Sequence, residues 1–269
     1  MESLQKFRNF LKENEKSNST QECYVRAMRN VLKDNNGKIE KEGLLDYRYE
    51  LIGKYSSSTV NCYMAAINAY LEFLEEDWKL RFVKVQKKVY IEESRDLKKK
   101  EYERLLEVSY RNQKMYLLIQ TIGSTGIRIS ELHYITVEAL KKGSIQVRCK
   151  GKIREILLPD LLVKRLMEYC KQEHIEGGEV FITRNGKSLD RSNIWRNMKK
   201  LCKKAGISES KVYPHNLRHL FAKVYYEKEK DLPKLADLLG HSNIETTRIY
   251  LITDGKSHRK QINSLGLVR

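Results

Sequence analysis

Apolar positions recur at helical spacing over most of the chain and switch to strict alternation in one place. Leu4, Phe7, Phe10 and Leu11 form a first stripe, which ends in the polar cluster before Ser19. Two segments then echo each other: Ser19-Thr20-Gln21-Glu22-Cys23-Tyr24 with Ala27 and Leu32, and Ser58-Thr59-Val60-Asn61-Cys62-Tyr63 with Ala66 and Leu71. In each, the Ser-Thr pair can cap a helix, and in the second Val60, Met64, Ile67, Tyr70, Leu71 and Leu74 continue the apolar stripe. Leu44, Leu45, Tyr47 and Leu51 predict another helix between them. Two copies are too few for a solenoid, so residues 1–80 read as one small helical bundle.

Residues 81–97, RFVKVQKKVYIEESRDL, lose helical periodicity and carry Arg81, Lys84, Lys87 and Lys88, as a basic linker would. A second domain, 98–269, opens with a helix through Leu105, Leu106 and Val108, followed by a buried helix from Met115 to Ile122. That helix runs into Thr125-Gly126-Ile127-Arg128-Ile129-Ser130-Glu131-Leu132. The glycine breaks it, an arginine enters at the junction, and the next helix is expected to begin beneath the arginine. A guanidinium at such a rigid corner can bind a phosphate with both prongs. Alternation in Ser144–Lys150 and again in Ile153–Pro159, around Gly151, predicts a β-hairpin with Lys150 at its tip. Leu161–Tyr169 and Arg191–Leu201 read as helices, with Phe181-Ile182 as a short strand between them.

The densest chemistry lies between Pro214 and Tyr250. His215, Arg218 and His219 stand at i, i+3 and i+4, on one face of a helix. Asp231 can cap the next helix, with Pro233 in its first turn and Leu232, Leu235, Ala236, Leu238 and Leu239 as its apolar positions. Gly240 should end it in the left-handed conformation. His241 then occupies the tight connection. Ser242 and Glu245 form a capping box for a last helix carrying Tyr250.

Charge changes the picture. The 269 residues hold 52 Lys and Arg against 35 Asp and Glu, a formal net charge of +17. Residues 1–90 contribute 16 against 13, so most of the excess lies later. Such a surplus favours a polyanion, nucleic acid before an acidic membrane surface. With 41% hydrophobic residues a globular core is within reach, and wholesale disorder is excluded. No run of residues approaches a membrane span, and the N-terminus lacks the apolar stretch of a signal peptide. The five cysteines are scattered and never spaced C-x-x-C, against a disulfide framework or zinc site and in favour of a reducing cytoplasm.

The segments Thr125–Leu132, Lys150-Gly151, His215-x-x-Arg218-His219, Leu239-Gly240-His241 and Tyr250 resemble, in order, the signature of the tyrosine recombinases, the phage-integrase and Xer-like family. The resemblance implies a mainly α fold with a small β-hairpin, a helical SAM-like core-binding domain, and a C-terminal α+β catalytic domain. It implies a catalytic set of Arg128, Lys150, His215, Arg218, His241 and Tyr250, supported by Glu131 and His219. Two guanidiniums neutralise the phosphate, a tyrosine attacks phosphorus to give a 3′-phosphotyrosyl intermediate, histidines move protons, and a lysine protonates the leaving 5′-oxygen. Lys152 competes with Lys150 for the last role. The arginines supply the positive charge, so neither a metal nor another cofactor is expected.

The partner implied is double-stranded DNA with inverted-repeat sites, bound by a homotetramer that exchanges C-terminal tails, in the cytoplasm of a bacterial or mobile-element host. Arg26, Arg29, Lys33, Lys54, Lys84, Lys87, Lys152, Arg191 and Arg196 are the candidate DNA contacts, with Lys199 and Lys200 beside the last two. The chain begins directly at the core-binding pattern, which favours a simple Xer-type site over an attachment site with distant arms. Three other readings share parts of the pattern: a type IB topoisomerase, a DNA-binding protein that never cuts, and a helical adaptor for an acidic protein.

Overall fold

The computed structural model describes residues 2–84, 96–149, 152–240, 243–248, 259–260 and 262–266. It divides into two compact units, Met1–Lys87 and Lys88–Arg269.

The first unit packs α1 (Glu2–Glu13), α2 (Asn18–Asp34), α3 (Lys41–Lys54) and α4 (Ser57–Phe73). Phe7, Leu11, Met28, Val31, Leu44, Leu51, Val60, Met64, Ile67 and Leu71 make its core. The echoed segments become α2 and α4, and in each the cap lies two residues earlier than the Ser-Thr pair suggests. Ser17 Oγ accepts from the Thr20 amide at 3.3 Å and Ser56 Oγ from the Thr59 amide at 3.4 Å. A serine three residues ahead of the threonine reaches the first unpaired amides, whereas Ser19 and Ser58 already lie inside the helices. Where α2 and α4 meet, their matching cysteines bring Cys23 Sγ and Cys62 Sγ to 3.3 Å.

Part of the segment expected as linker is docked on this unit. Asn68 pairs with both main-chain groups of Leu80, at 2.8 and 3.0 Å, and Asn61 with those of Val83, at 2.7 and 3.0 Å. Two asparagines on α4 thus bind residues 80–83 as an adjoining strand would. Within that linker, residues 85–95, Lys87 among them, lie outside the described residues.

In the second unit α5 (Lys99–Ser109), α6 (Gln113–Thr125), α8 (Asp160–Gln172), α9 (Arg191–Ala205) and α10 (Pro214–Glu229) surround a core of Leu118, Ile119, Ile122, Leu166, Met198 and Leu217. Gly126 ends α6 at φ 64°, and a Cβ there would stand 2.5 Å from Phe221 Cδ1. Conformation and packing both require glycine.

Beneath Arg128 the chain forms a 3-10 helix, Ile129–Tyr134, before α7 (Val137–Lys142). Glu131 reaches back to the Arg128 amide at 2.9 Å while its own amide donates to the Arg128 carbonyl at 2.8 Å, which tightens the turn to i→i+3. The hairpin forms as expected: β1 (Ser144–Cys149) pairs antiparallel with β2 (Lys152–Leu157), Cys149 opposite Lys152. Phe181-Ile182 is not a strand. The chain here makes isolated bridges, Thr136 to Glu179 and Ile182 to Ser188; Phe181 is buried in the core and Ile182 is half-buried.

Candidate active site

Three corners meet around Arg218. The first is the end of α6, where the Gly126 carbonyl faces Arg218 and Arg128 follows in extended conformation. The second is α10, started by Pro214 in its first turn. The third is the end of α11 (Leu232–Leu239), capped at its start by Asp231, which accepts from the Lys234 amide at 2.9 Å, and closed by Gly240 at φ 62°. The stripe on α11 buries Leu235, Ala236 and Leu239, while Leu238 is half-buried.

Arg218 is 1% exposed, among the largest fully buried side chains described. Its Nη1 donates to the Gly126 carbonyl at 2.6 Å and its Nη2 to the Leu239 carbonyl at 2.6 Å. One guanidinium therefore ties the Gly126 corner to the Leu239 end of α11, 92 and 21 residues away along the chain. Carbonyl dipoles hold the cation without cancelling its charge.

Arg128 stands at the rim, its side chain 33% exposed. Its Nη1 meets Glu131 Oε1 at 3.0 Å, and its Nη2 points to the Gly240 carbonyl at 3.4 Å, a long contact. Glu131 is nearly buried, and although that burial alone raises its pKa, the Arg128 amide and the guanidiniums of Arg154 and Arg128 outweigh it and hold the carboxyl below the usual range.

His215 is exposed at the first turn of α10, against His219 with ring centroids 4.9 Å apart. Desolvation by the surrounding protein, then the charges of Arg218 and Arg128, lower its pKa. At neutral pH it is an uncharged base beside two cations. His219 is more enclosed. Burial first, then His215, push its pKa down to about 4, with Asp96 opposing and Lys223 and Arg218 assisting. Lys223 and Asp96 form an ion pair next to it.

A pH dependence follows. The folded value for His219 is about 4 and the ordinary value 6.5, so between them the unfolded chain binds the extra proton. The stabilisation from a neutral His219 is complete above pH 6.5 and is lost as pH falls toward 4. Urea unfolding across this range should show stability rising with pH, and His219→Asn should flatten that limb. An unchanged slope in the variant would remove His219 as its origin.

Of the other expected site residues, Lys150, His241 and Tyr250, with Ser242 of the capping box, lie outside the described residues. So does Lys87. Lys152 begins β2. Arg26, Arg29 and Lys33 are exposed on one face of α2, Lys84 is exposed, and Lys54 is paired with Glu50 at 3.1 Å. Arg191 and Arg196 line a cleft of about 630 Å³ that also contains Ile129 and His215.

Two residues of this region escaped the sequence reading. Trp195 lies between those arginines, 52% exposed, with Lys199 Nζ 5.1 Å from its ring. Arg154 had been counted only as part of a strand, yet it donates to Glu131 Oε2 at 2.6 Å and to the Leu238 carbonyl at 3.0 Å. Its signal was available: Arg154 and Ile156 share the inward face of β2, and Leu158 just beyond continues the alternation, so an arginine there requires partners.

A model of the phage integrase family matches residues 95–256. The tyrosine recombinase XerA of Pyrococcus furiosus is 28% identical over 278 residues, covering 99% of this chain and 95% of its own. XerA of Thermococcus kodakarensis is 30% identical, with 93% and 90% covered. Among solved structures, the Tn1549 transposon integrase in complex with transposon right end DNA superposes with a TM-score of 0.73 at 18% identity, over 98% of this chain and 99% of that one. No helix among the described residues is long and apolar enough to cross a membrane.

Proposed function

The chain belongs to the phage integrase family, and from that membership we propose how this site-specific tyrosine recombinase cuts and rejoins DNA. Tyr250 attacks the scissile phosphorus through its phenol oxygen as the bond to the 5′-oxygen breaks, leaving a 3′-phosphotyrosine. Neutral His215, with His241, takes up the phenol proton or hydrogen-bonds the phosphate. Lys150, or Lys152 in its stead, gives a proton to the departing 5′-oxygen. Arg128 meets the non-bridging oxygens from the rim, and Arg218 adds its charge from behind, where a low dielectric extends its reach. A 5′-hydroxyl from the partner strand then attacks the phosphotyrosine and releases Tyr250. The phosphate bond energy is kept, so no nucleotide is consumed.

The observation carrying this reading is the fork of Arg218. It joins Gly126, two residues before Arg128, to Leu239, two residues before His241, so family motifs far apart in sequence converge.

In the same proposal the helical domain of residues 1–80 grips the core site with Arg26, Arg29, Lys33 and Lys54. The linker and the arginines of α9 follow the phosphates, and four copies assemble on paired inverted-repeat sites with exchanged tails. The setting is the cytoplasm of a bacterial or mobile-element host.

The test uses a site selected by this protein from a randomised inverted-repeat library. Two copies are placed on one supercoiled plasmid. Inversion or excision with both junctions restored to the nucleotide is expected, and only when both sites are present. Relaxation of plasmid lacking the site would favour a topoisomerase. Salt-sensitive binding with neither product would favour a protein that binds without cutting.

A further inference from the structure

Arg154 is the charged group of this site that the proposed roles leave unused. Its side chain is only 12% exposed, and its two terminal nitrogens hold different anchors. Nη2 donates to Glu131 Oε2 at 2.6 Å and Nη1 to the Leu238 carbonyl at 3.0 Å. Glu131 accepts at the same time from the Arg128 amide at 2.9 Å and from Arg128 Nη1 at 3.0 Å. A continuous run of hydrogen bonds therefore passes from Arg128 through Glu131 and Arg154 to the last turn of α11. Gly240 makes room for it: a Cβ there would stand 2.5 Å from Arg154 Cδ.

The run joins three elements on which the proposed chemistry depends. Arg128 follows α6, Arg154 lies on β2 and four residues after Lys150 in the sequence, and Leu238 is three residues before His241. Arg154 also divides the charge of Glu131. With both arginines present, each guanidinium takes one carboxylate oxygen. With Arg128 alone, the whole carboxylate would act on the rim arginine and offset the positive field it offers a phosphate.

We propose that Arg154 is a positioning residue for strand cleavage, holding the Arg128 corner, the hairpin and the turn before His241 at one spacing while sharing Glu131 with Arg128. It touches no substrate. The proposal rests on the recombinase reading and deepens it.

The full-length chain with Arg154→Gln and Arg154→Lys is compared with wild type on a nicked duplex that traps the covalent adduct. Thermal melting and DNA affinity are measured alongside. R154Q should bind DNA with unchanged affinity and form adduct roughly a hundredfold more slowly at saturating DNA, the scale expected of slightly misplaced reacting groups. R154K keeps the charge and loses the fork, and should recover part of the rate. The charged groups facing Glu131 are Arg128 from its own corner and Arg154 from β2. Losing Arg154 therefore makes Glu131 less acidic, and the acid limb of the pH–rate profile should move up in R154Q. Wild-type rates in both variants would overturn the proposal. So would slowing that tracks melting temperature with no change in pH profile. If R154Q does not fold, R154K carries the same rate and pH comparison. Absence of adduct in wild type would count against the recombinase reading itself, whereas equal rates in wild type and variants would count only against the role of Arg154.

Discussion

Arg218→Ala is expected to lower single-turnover strand cleavage roughly a thousandfold, the scale for removing a preorganised charge beside a developing oxyanion. The same substitution should destabilise the fold by on the order of 2–4 kcal/mol, because the Gly126 and Leu239 carbonyls each lose a short hydrogen bond and the volume of the side chain is left empty. Both effects have one origin. The side chain that carries the charge is also the strut between the Gly126 corner and the end of α11. Arg218→Lys separates them. An ammonium on a flexible stem can reach one of the two carbonyls, so part of the stability should return while cleavage stays strongly impaired. Denaturant unfolding and adduct formation, measured on the same preparations, check the pair. Wild-type cleavage in R218A would remove Arg218 from the chemistry, and unchanged stability would contradict its role as a strut.

What was legible in the sequence was local. The break at Gly126, the stop at Gly240, the cap at Asp231 and Pro214 in the first turn of α10 each depend on one residue's backbone preference, and each is found where its neighbours put it. The hairpin was legible for the same reason, since alternation on two sides of a glycine leaves few other arrangements. The family signature fixed which residues to expect together. Arg128, His215 and Arg218 do lie close enough for the two guanidiniums to lower the histidine's pKa.

What was not legible depends on partners far along the chain. The 3-10 turn under Arg128 follows from Glu131 reaching back to the Arg128 amide with Oε2, the same oxygen that Arg154 holds from β2. Helical periodicity cannot register such a tie. Phe181-Ile182 has the composition of a strand but makes only an isolated bridge, from Ile182 to Ser188, while Phe181 packs into the core. Asn61 and Asn68 look like ordinary polar positions on α4 until residues 80–83 lie beside them. Arg218 departs furthest from expectation. Arginine is ordinarily a surface residue, and the two carbonyls aimed at it help make complete burial tolerable.

Tyr250→Phe is expected to have the largest effect on the reaction and the smallest on the protein. Phenylalanine keeps the ring and removes only the oxygen that attacks phosphorus, so DNA affinity and melting should stay at wild-type values. Phenylalanine offers no oxygen to bond to phosphorus, so the loss of cleavage should be complete. Together with the Arg218 variants this separates the nucleophile from the groups that stabilise charge. Arg218→Ala should leave a slow residual adduct, and Tyr250→Phe none.

The most direct measurement is therefore covalent trapping. Wild type and Tyr250→Phe are incubated with nicked duplexes of the selected site, run on a denaturing gel, and the adduct is digested to find the modified residue. The account predicts a protein–DNA adduct in wild type, linked through Tyr250 to a 3′-phosphate, and none in the variant despite equal DNA binding. An adduct that persists in Tyr250→Phe, or one mapped to another residue, would contradict it.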